Sequence, residues 1–333
     1  MQKLSKRLQA AADFVSEGNR TADIGTDHGF LPIYLIQSGK CPQAIAMDIR
    51  KGPLERAREH IAAAGLGGLI QTRLSDGMQA LERGEADSAV ITGMGGQTVI
   101  HILEEAREIL PDLKELVLEP QSDTAKVRRY LREHKMEIDR EALVQEAGKF
   151  YPVLHVDLAK QMQKEPIQRL RAQPSVSVVE TNRQLNREEP GNKRKNEIPL
   201  RYEEPENGCQ IYEGLRRDTE SENEHQMYEG LLHRLGDRER VQEVLDQYGA
   251  CLVYGRHPLL RQMLEREEKR ALGILQALAS GHLAADGKEE HTDAVQVCRQ
   301  QSECRQEQPD AVQMRRRQVE RRLEEIRALL QML

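Results

Sequence analysis

Short apolar runs broken by glycine and aspartate alternate with helical patterns through the first half of the chain. Leu4, Leu8, Ala11, Ala12 and Val15 recur at helical spacing, with Lys3, Lys6 and Arg7 on the other side, which predicts an opening amphipathic helix with a basic face. Arg20 to Ile24 then reads as a first buried strand, cut by Gly25 and followed by a helix over Leu31 to Ser38 with Pro32 in its first turn. Gln43–Met47, Ser88–Ile91 and Glu115–Pro120 repeat this short, mostly apolar form, as buried parallel strands do, and Ile70–Leu74 makes another short strand. Met136–Gln145 and Phe150–Leu158 are two more strands with no clear helix between them. The expectation is an α/β, Rossmann-like sheet of seven strands that ends in an antiparallel hairpin.

Past Ala159 the pattern changes. Lys160 to about His225 is rich in Arg, Glu, Gln, Asn and Pro, too polar to bury the surface that would offset its ordering entropy, so a flexible insertion is expected over 159–225. Inside it Gln210-Ile211-Tyr212-Glu213-Gly214-Leu215 nearly repeats as Gln226-Met227-Tyr228-Glu229-Gly230-Leu231, which reads as a local duplication. From there helical periodicity returns. Leu259, Leu260, Met263, Leu264, Ala271, Leu275 and Leu278 form one stripe, and Val312, Val319, Leu323, Ile326, Leu330 and Leu333 form a stricter, heptad-like one. The tail, 226–333, is thus expected to be a helical hairpin or coiled coil with a polar loop near 280–310, and residues 1–158 a separate α/β domain.

Composition narrows the function. At 38% hydrophobic, 31% charged and 3% aromatic residues with no Trp, the 333-residue chain has solvated segments beside its core. A net charge of −6 gives no overall attraction to nucleic acid, so an RNA partner would be held by local basic patches. Five cysteines in an odd number, none in a C-x-x-C pair, suit a reducing cytoplasm and leave no metal site in view. No apolar stretch reaches membrane-span length. A soluble cytoplasmic protein is expected, monomeric or dimeric through its tail.

The candidate chemistry gathers at the ends of the predicted strands. The first strand runs into Gly25-Thr26-Asp27-His28-Gly29, where glycine allows a sharp turn and close approach to a ligand. A dinucleotide-binding turn places a glycine where Asp27 stands, and a carboxylate there would repel pyrophosphate but attract a cationic, phosphate-free ligand such as the sulfonium of S-adenosylmethionine. Asp48 ends the second strand about 20 residues further on, the spacing at which an acidic residue meets ribose hydroxyls in such folds. Ser75-Asp76-Gly77 ends the third, and Thr92-Gly93-Met94-Gly95-Gly96 follows the fourth. Asp27, Asp48 and Asp76 are therefore expected to line one crevice.

Leu4-Ser5-x-Arg7-Leu8, Ala22-Asp23-Ile24-Gly25-Thr26-Asp27-His28-Gly29-Phe30-Leu31-Pro32, Lys51-Gly52-Pro53, Ser75-Asp76-Gly77, Gly93-Met94-Gly95-Gly96 and Gly148-Lys149-Phe150-Tyr151 together resemble the bacterial TrmK family. The resemblance covers residues 1 to about 158 and resumes near Tyr248. It implies a class I methyltransferase sheet followed by a tRNA-contacting coiled coil, S-adenosylmethionine as cofactor, and methylation of N1 of adenine at position 22 of tRNA. The insertion after Ala159 departs from the family pattern. By resemblance the donor site comprises Asp23, Gly25, Gly29, Asp48, Ile49, Asp76, Gly77, Gly93 and Met94, with Asp48 on the ribose and Asp76 and Gly77 by the adenine. Asp27 is the catalytic candidate, and His28 either assists it or serves the local structure. Lys3, Arg7, Arg128, Arg129, Arg315, Arg316 and Arg322 are candidate RNA contacts, and Phe30, Tyr34 and Tyr151 candidate stacking partners.

Other readings stay open at this point: a methyltransferase of a small molecule or protein, or a non-catalytic RNA-binding module on the same fold. A nicotinamide-dependent dehydrogenase conflicts with Asp27 in the glycine turn.

Overall fold

A computed structural model describes residues 1–159, 211–212, 222–279 and 309–333. The elements follow the hydrophobic pattern closely. In chain order they are α1 (Lys6–Phe14), β1 (Thr21–Ile24), α2 (Phe30–Gln37), β2 (Ala44–Asp48), α3 (Lys51–Ala63), β3 (Ile70–Leu74), β4 (Ser88–Gly95), α4 (Gly96–Glu105), β5 (Glu115–Ser122), α5 (Thr124–Glu133), β6 (Ile138–Glu146), β7 (Lys149–Asp157) and the two-residue β8 (Ile211–Tyr212). The helical part comprises α6 (Glu222–Leu235), α7 (Arg238–Tyr248), α8 (Ala250–Tyr254), α9 (Pro258–Ala279) and α10 (Pro309–Leu330).

The sheet order is β3-β2-β1-β4-β5-β7-β6-β8. β1 to β5 are parallel, and β7 enters antiparallel between β5 and β6. The expected seven strands and antiparallel hairpin are present, and β8 adds a short antiparallel pairing to β6. Strand alternation splits the core between two faces. Ala89, Ile91, Leu116 and Leu118 pack with Val99, Leu103, Val127 and Leu131 of α4 and α5. Val90 and Val117 face Ala10, Ala11, Phe14, Leu31 and Leu35 of α1 and α2. Because the parallel strands point the same way, the loops after β1, β2, β3 and β4 open on one edge, where ligands bind in such sheets.

The tail contains more than a hairpin. α9 and α10 pair antiparallel, linked by Arg322–Glu267 (3.3 Å) and Arg327–Glu268 (2.8 Å), and α6 to α8 complete a second core through Met227, Leu231, Val241, Leu252 and Leu264. Of the expected insertion, residues 160–210 and 213–221 lie outside the described residues, as does the polar loop from 280 to 308. The tail helix opens at Glu222, ahead of the expected boundary at 226. The second copy of the near-repeat lies within α6, with Met227 buried, whereas Ile211 and Tyr212 of the first copy pair with Ala142 and Glu141 as β8.

A buried ionic clasp joins the two parts. Arg128 on α5 is 4% exposed; its Nε donates to Glu141 Oε1 (2.7 Å) and its Nη1 to the carbonyls of Asp246 (3.1 Å) and Gln247 (2.9 Å). Arg132 pairs with the Asp246 carboxylate at 2.9 Å, and Cys251 N–H donates to Glu141 Oε2. At Gly249, φ is +90° and a Cβ would fall 2.4 Å from Glu141, so this approach requires glycine. Arg128 is therefore not an RNA contact. Its charge is spent inside the protein, on the carbonyls at the C-terminal end of α7.

Candidate active site

A cavity of about 430 Å³ opens at the C-terminal edge of the parallel strands. Asp23, Ile24, Gly25 and Asp27 from the end of β1, Asp48 and Ile49 from β2, Asp76 and Gly77 after β3, and Gly93 and Met94 of β4 all line it. The structure thus brings the strand-end aspartates together, as the spacing predicts.

Each is set by local geometry. Asp23 is 4% exposed; burial pushes its carboxyl up to about 7, and the nearby Asp48 charge adds to the shift. Asp48 Oδ1 accepts from Arg50 N–H at 2.7 Å, which fixes the carboxylate at the strand end, while Ile49 beside it is 59% exposed and offers an apolar flank. Ser75 Oγ donates to Gly77 O (3.0 Å) and accepts from Ala80 N–H (3.1 Å), folding the turn that carries Asp76. Gly25 has φ +77°, and a Cβ there would lie 2.0 Å from the Met94 methyl. The turns after β1 and within β4 therefore meet at Gly25 and Met94.

Asp27 faces the cavity with its side chain 70% exposed. His28 Nε2 lies 3.5 Å from its Oδ1, and Arg56 Nη2 3.6 Å from the same oxygen. His28 does not line the cavity. It adopts φ 64°, stacks on Phe30 (5.2 Å) and His60 (5.4 Å), and its carbonyl accepts from His60 Nδ1 at 2.9 Å. Gly29 is likewise absent from the wall. It caps α2 at φ +70°, and a Cβ there would meet Ala57 Cβ of α3 at 3.2 Å; its small size serves helix packing, not the ligand.

The remaining candidates separate by environment. Arg7, expected on the surface, lines the cavity and donates to the buried Glu119 at 2.9 Å. Tyr151 lies under its guanidinium at 5.9 Å. Tyr34 OH accepts from Gln9 on α1. Arg129 lies 3.5 Å from Asp246. Lys3, Arg315 and Arg316 are exposed, Arg316 with Glu320 at 2.8 Å, whereas Arg322 is half-buried over the Tyr248 ring at 4.6 Å. Sequence reasoning passed over Thr92, Thr98, Ile102 and Glu119. For Glu119 a signal exists: an acidic residue ends an apolar strand directly before Pro120.

Among the described residues no cluster of His, Cys, Asp or Glu is arranged to hold a metal, and no helix is long and apolar enough to cross a membrane.

Residues 4–154 match the family model of a methyltransferase domain. The chain is 38% identical over 152 residues to the tRNA (adenine(22)-N(1))-methyltransferase of Bacillus subtilis, covering 46% of this chain and 64% of that protein. It is 32% identical over 167 residues to a putative tRNA methyltransferase of Mycoplasma pneumoniae, covering 47% of this chain and 73% of the relative.

The chain belongs to the TrmK family.

The crystal structure of the B. subtilis m1A22 tRNA methyltransferase TrmK superposes with a TM-score of 0.60 over 99% of this chain and 100% of that one, at 21% identity. The TrmK fold therefore extends through the helical part, where the sequence alignments stop.

Proposed function

We propose that this chain transfers a methyl group from S-adenosylmethionine to N1 of adenine at position 22 of tRNA. The observation that carries this reading is the set of strand-end carboxylates around one cavity, with Asp27 standing where a dinucleotide site needs glycine, in a member of the TrmK family. The residues fit the donor: carboxylates suit its ammonium and ribose hydroxyls, Ile49 suits a flat base, and a carboxylate in the glycine turn disfavours pyrophosphate. When bound, the donor supplies a methyl group already activated on a sulfonium.

The chain's own tasks are then orientation and electrostatics. Asp23 meets the ammonium end, Asp48 the ribose, and Asp76, Gly77 and Ile49 the adenine. Gly25, Gly93 and Met94 shape the middle of the cavity. Asp27 orients the acceptor adenine through its exocyclic amine and stabilises the positive charge that builds on the ring as the N1 lone pair takes the methyl and the sulfonium becomes a neutral thioether; a proton that later leaves the product comes from that amine, where Asp27 can accept it. His28, packed outside the cavity, holds Asp27. Because N1 lies on the pairing edge, the adenine must leave its stack to enter. Residues 1–158 act as the catalytic unit and the helical part as the RNA-binding arm, with Lys3, Arg129, Arg315 and Arg316 at phosphates; a tRNA substrate places the protein in the cytoplasm.

The test is methyl transfer from labelled S-adenosylmethionine to tRNA transcripts carrying adenine or guanine at position 22, for wild type and Asp27→Ala. Transfer that needs the adenine and falls a hundred-fold or more in the variant, roughly the contribution of a positioned acid–base group, with donor affinity retained, supports the reading. Donor binding without transfer to any tRNA would redirect it to a small-molecule or protein substrate.

A further inference from the structure

β4 carries an irregularity at the cavity. Thr92 pairs with Glu119 and Met94 with Pro120, so Gly93 is an extra residue opposite that step, a bulge with Gly93 at φ +77°. Pro120 has no N–H to offer the ladder. The Gly93 N–H is satisfied by a side chain: it donates to Glu119 Oε2 at 2.8 Å. The same oxygen accepts from Arg7 Nη1 at 2.9 Å. Glu119 is fully buried, and its Oε1 has no hydrogen-bond partner among the described residues. One carboxylate thus holds two parts of the cavity wall that are far apart in sequence, the α1 arginine and the β4 bulge.

The position matters as much as the contact. The carboxylates assigned to the donor's nucleoside sit at the ends of β2 and β3, so Arg7, at the start of α1, faces the acceptor side, with the β4 bulge at Gly93 in the middle of the cavity between it and the donor. We propose that Glu119 is a positioning residue for the acceptor nucleotide: it fixes the Arg7 guanidinium at the cavity wall to receive the phosphodiester of the unstacked adenosine, and it fixes the Gly93–Met94 bulge against which the base seats. The inference rests on the tRNA-methyltransferase reading and deepens it. A guanidinium has five N–H donors, so the Glu119 contact leaves others for an RNA phosphate. The Arg7 side chain is 27% exposed, so part of it faces the cavity, while the buried Glu119 at 2.9 Å and Glu146 at 3.8 Å hold it at the wall.

The test compares wild type, Arg7→Ala, Glu119→Gln and the double variant. Donor affinity is read by calorimetry, kcat and KM are read with tRNA, and folding is read by thermal unfolding. Glu119→Gln keeps a carbonyl oxygen for Gly93 and removes the charge that orients Arg7. The expected result is a loss of about a hundred-fold in kcat/KM for tRNA in each single variant, the scale of a misplaced reactant. Donor Kd stays within about two-fold and the double variant is no worse than the worse single one, as for residues acting as a unit. Donor affinity that falls in step with kcat/KM, losses that multiply in the double variant, or unchanged kinetics overturn the inference while wild type remains active on tRNA. A wild type that binds donor yet never methylates tRNA overturns the functional reading itself.

Discussion

Asp23 is enclosed at the end of β1, and its carboxyl is pushed up to about 7 by burial, reinforced by the charge of Asp48. A cationic donor favours the ionised form, so binding expels a proton. Donor affinity should therefore rise by up to about ten-fold per pH unit as pH climbs toward 7, then level off; Asp23→Asn should flatten that slope in calorimetry. For stability the sign is opposite. The native state keeps a proton that the unfolded chain releases near the ordinary aspartate value, so Asp23 lowers stability as pH rises from there to about 7.

At the far end of the sheet, His155 Nε2 bonds Glu115 Oε2 at 3.0 Å and its Nδ1 bonds Asp139. Burial works against the Glu115 charge, but hydrogen bonds from His155, Ser16 and Ser88 outweigh it and hold the carboxyl down at about 2. Burial also opposes the imidazolium, yet its two carboxylate partners raise His155 above its usual value. The Glu115 contribution is present above the ordinary glutamate value and lost as pH falls toward about 2. That of His155 is full below its ordinary value and lost as pH rises through the raised one. His155→Gln should cost about 1–3 kcal/mol, the scale of an unsatisfied buried group, most visibly in mildly acidic urea titrations.

Among the elements, α5 shows how far the sequence carries. Arg128 and Arg129 read alike in the sequence as candidate RNA contacts, yet Arg128 lies next to Val127 and one turn before Leu131, both wholly buried. A position beside that stripe points inward, so the spacing of Val127 and Leu131 held the clue to the arginine. Arg128→Ala strands the buried Glu141 and should destabilise by about 3–5 kcal/mol, whereas Arg129→Ala, at an exposed site, should fall within about 0.5 kcal/mol; urea unfolding of both variants separates them. Strands β1, β2 and β4 were legible because each is a short, mostly apolar run closed by glycine or aspartate; β3, Ile-Gln-Thr-Arg-Leu, is marked by the Ser-Asp-Gly turn after it, and β5 by an apolar run closed at Pro120. The place of β7 between β5 and β6 was not, since strand order is set by pairings between distant segments. The near-repeat makes the same point: the Ile-Tyr of one copy is extended on β6, while the Met-Tyr of the other is helical. Glu119 and Gly29 escaped a correct reading for a related reason. What they touch, Gly93 and Ala57, lies far along the chain.

For the molecule as a whole, the proposed function divides the work between the arm and the cavity. The exposed Arg315 and Arg316 lie on α10, and the residues proposed for chemistry lie on the sheet edge. If the arm grips phosphates, tRNA affinity falls with salt, and replacing either arginine by alanine should lower the slope of log affinity against log salt by about one while leaving donor affinity unchanged. Filter binding across a salt series reads this directly.

The clasp around Arg128 then acquires a second meaning. Because α7 is bonded by its own carbonyls to a buried arginine of the α/β part, the helical part is held as a fixed lever and not as a swinging tether. If that arm grips a tRNA stem, as proposed, the protein would act as a ruler, choosing its adenine by the distance from the gripped stem instead of by reading the bases between. Lengthening the intervening RNA by one base pair should therefore move methylation to whatever adenine now falls at the measured distance, or abolish it where none does.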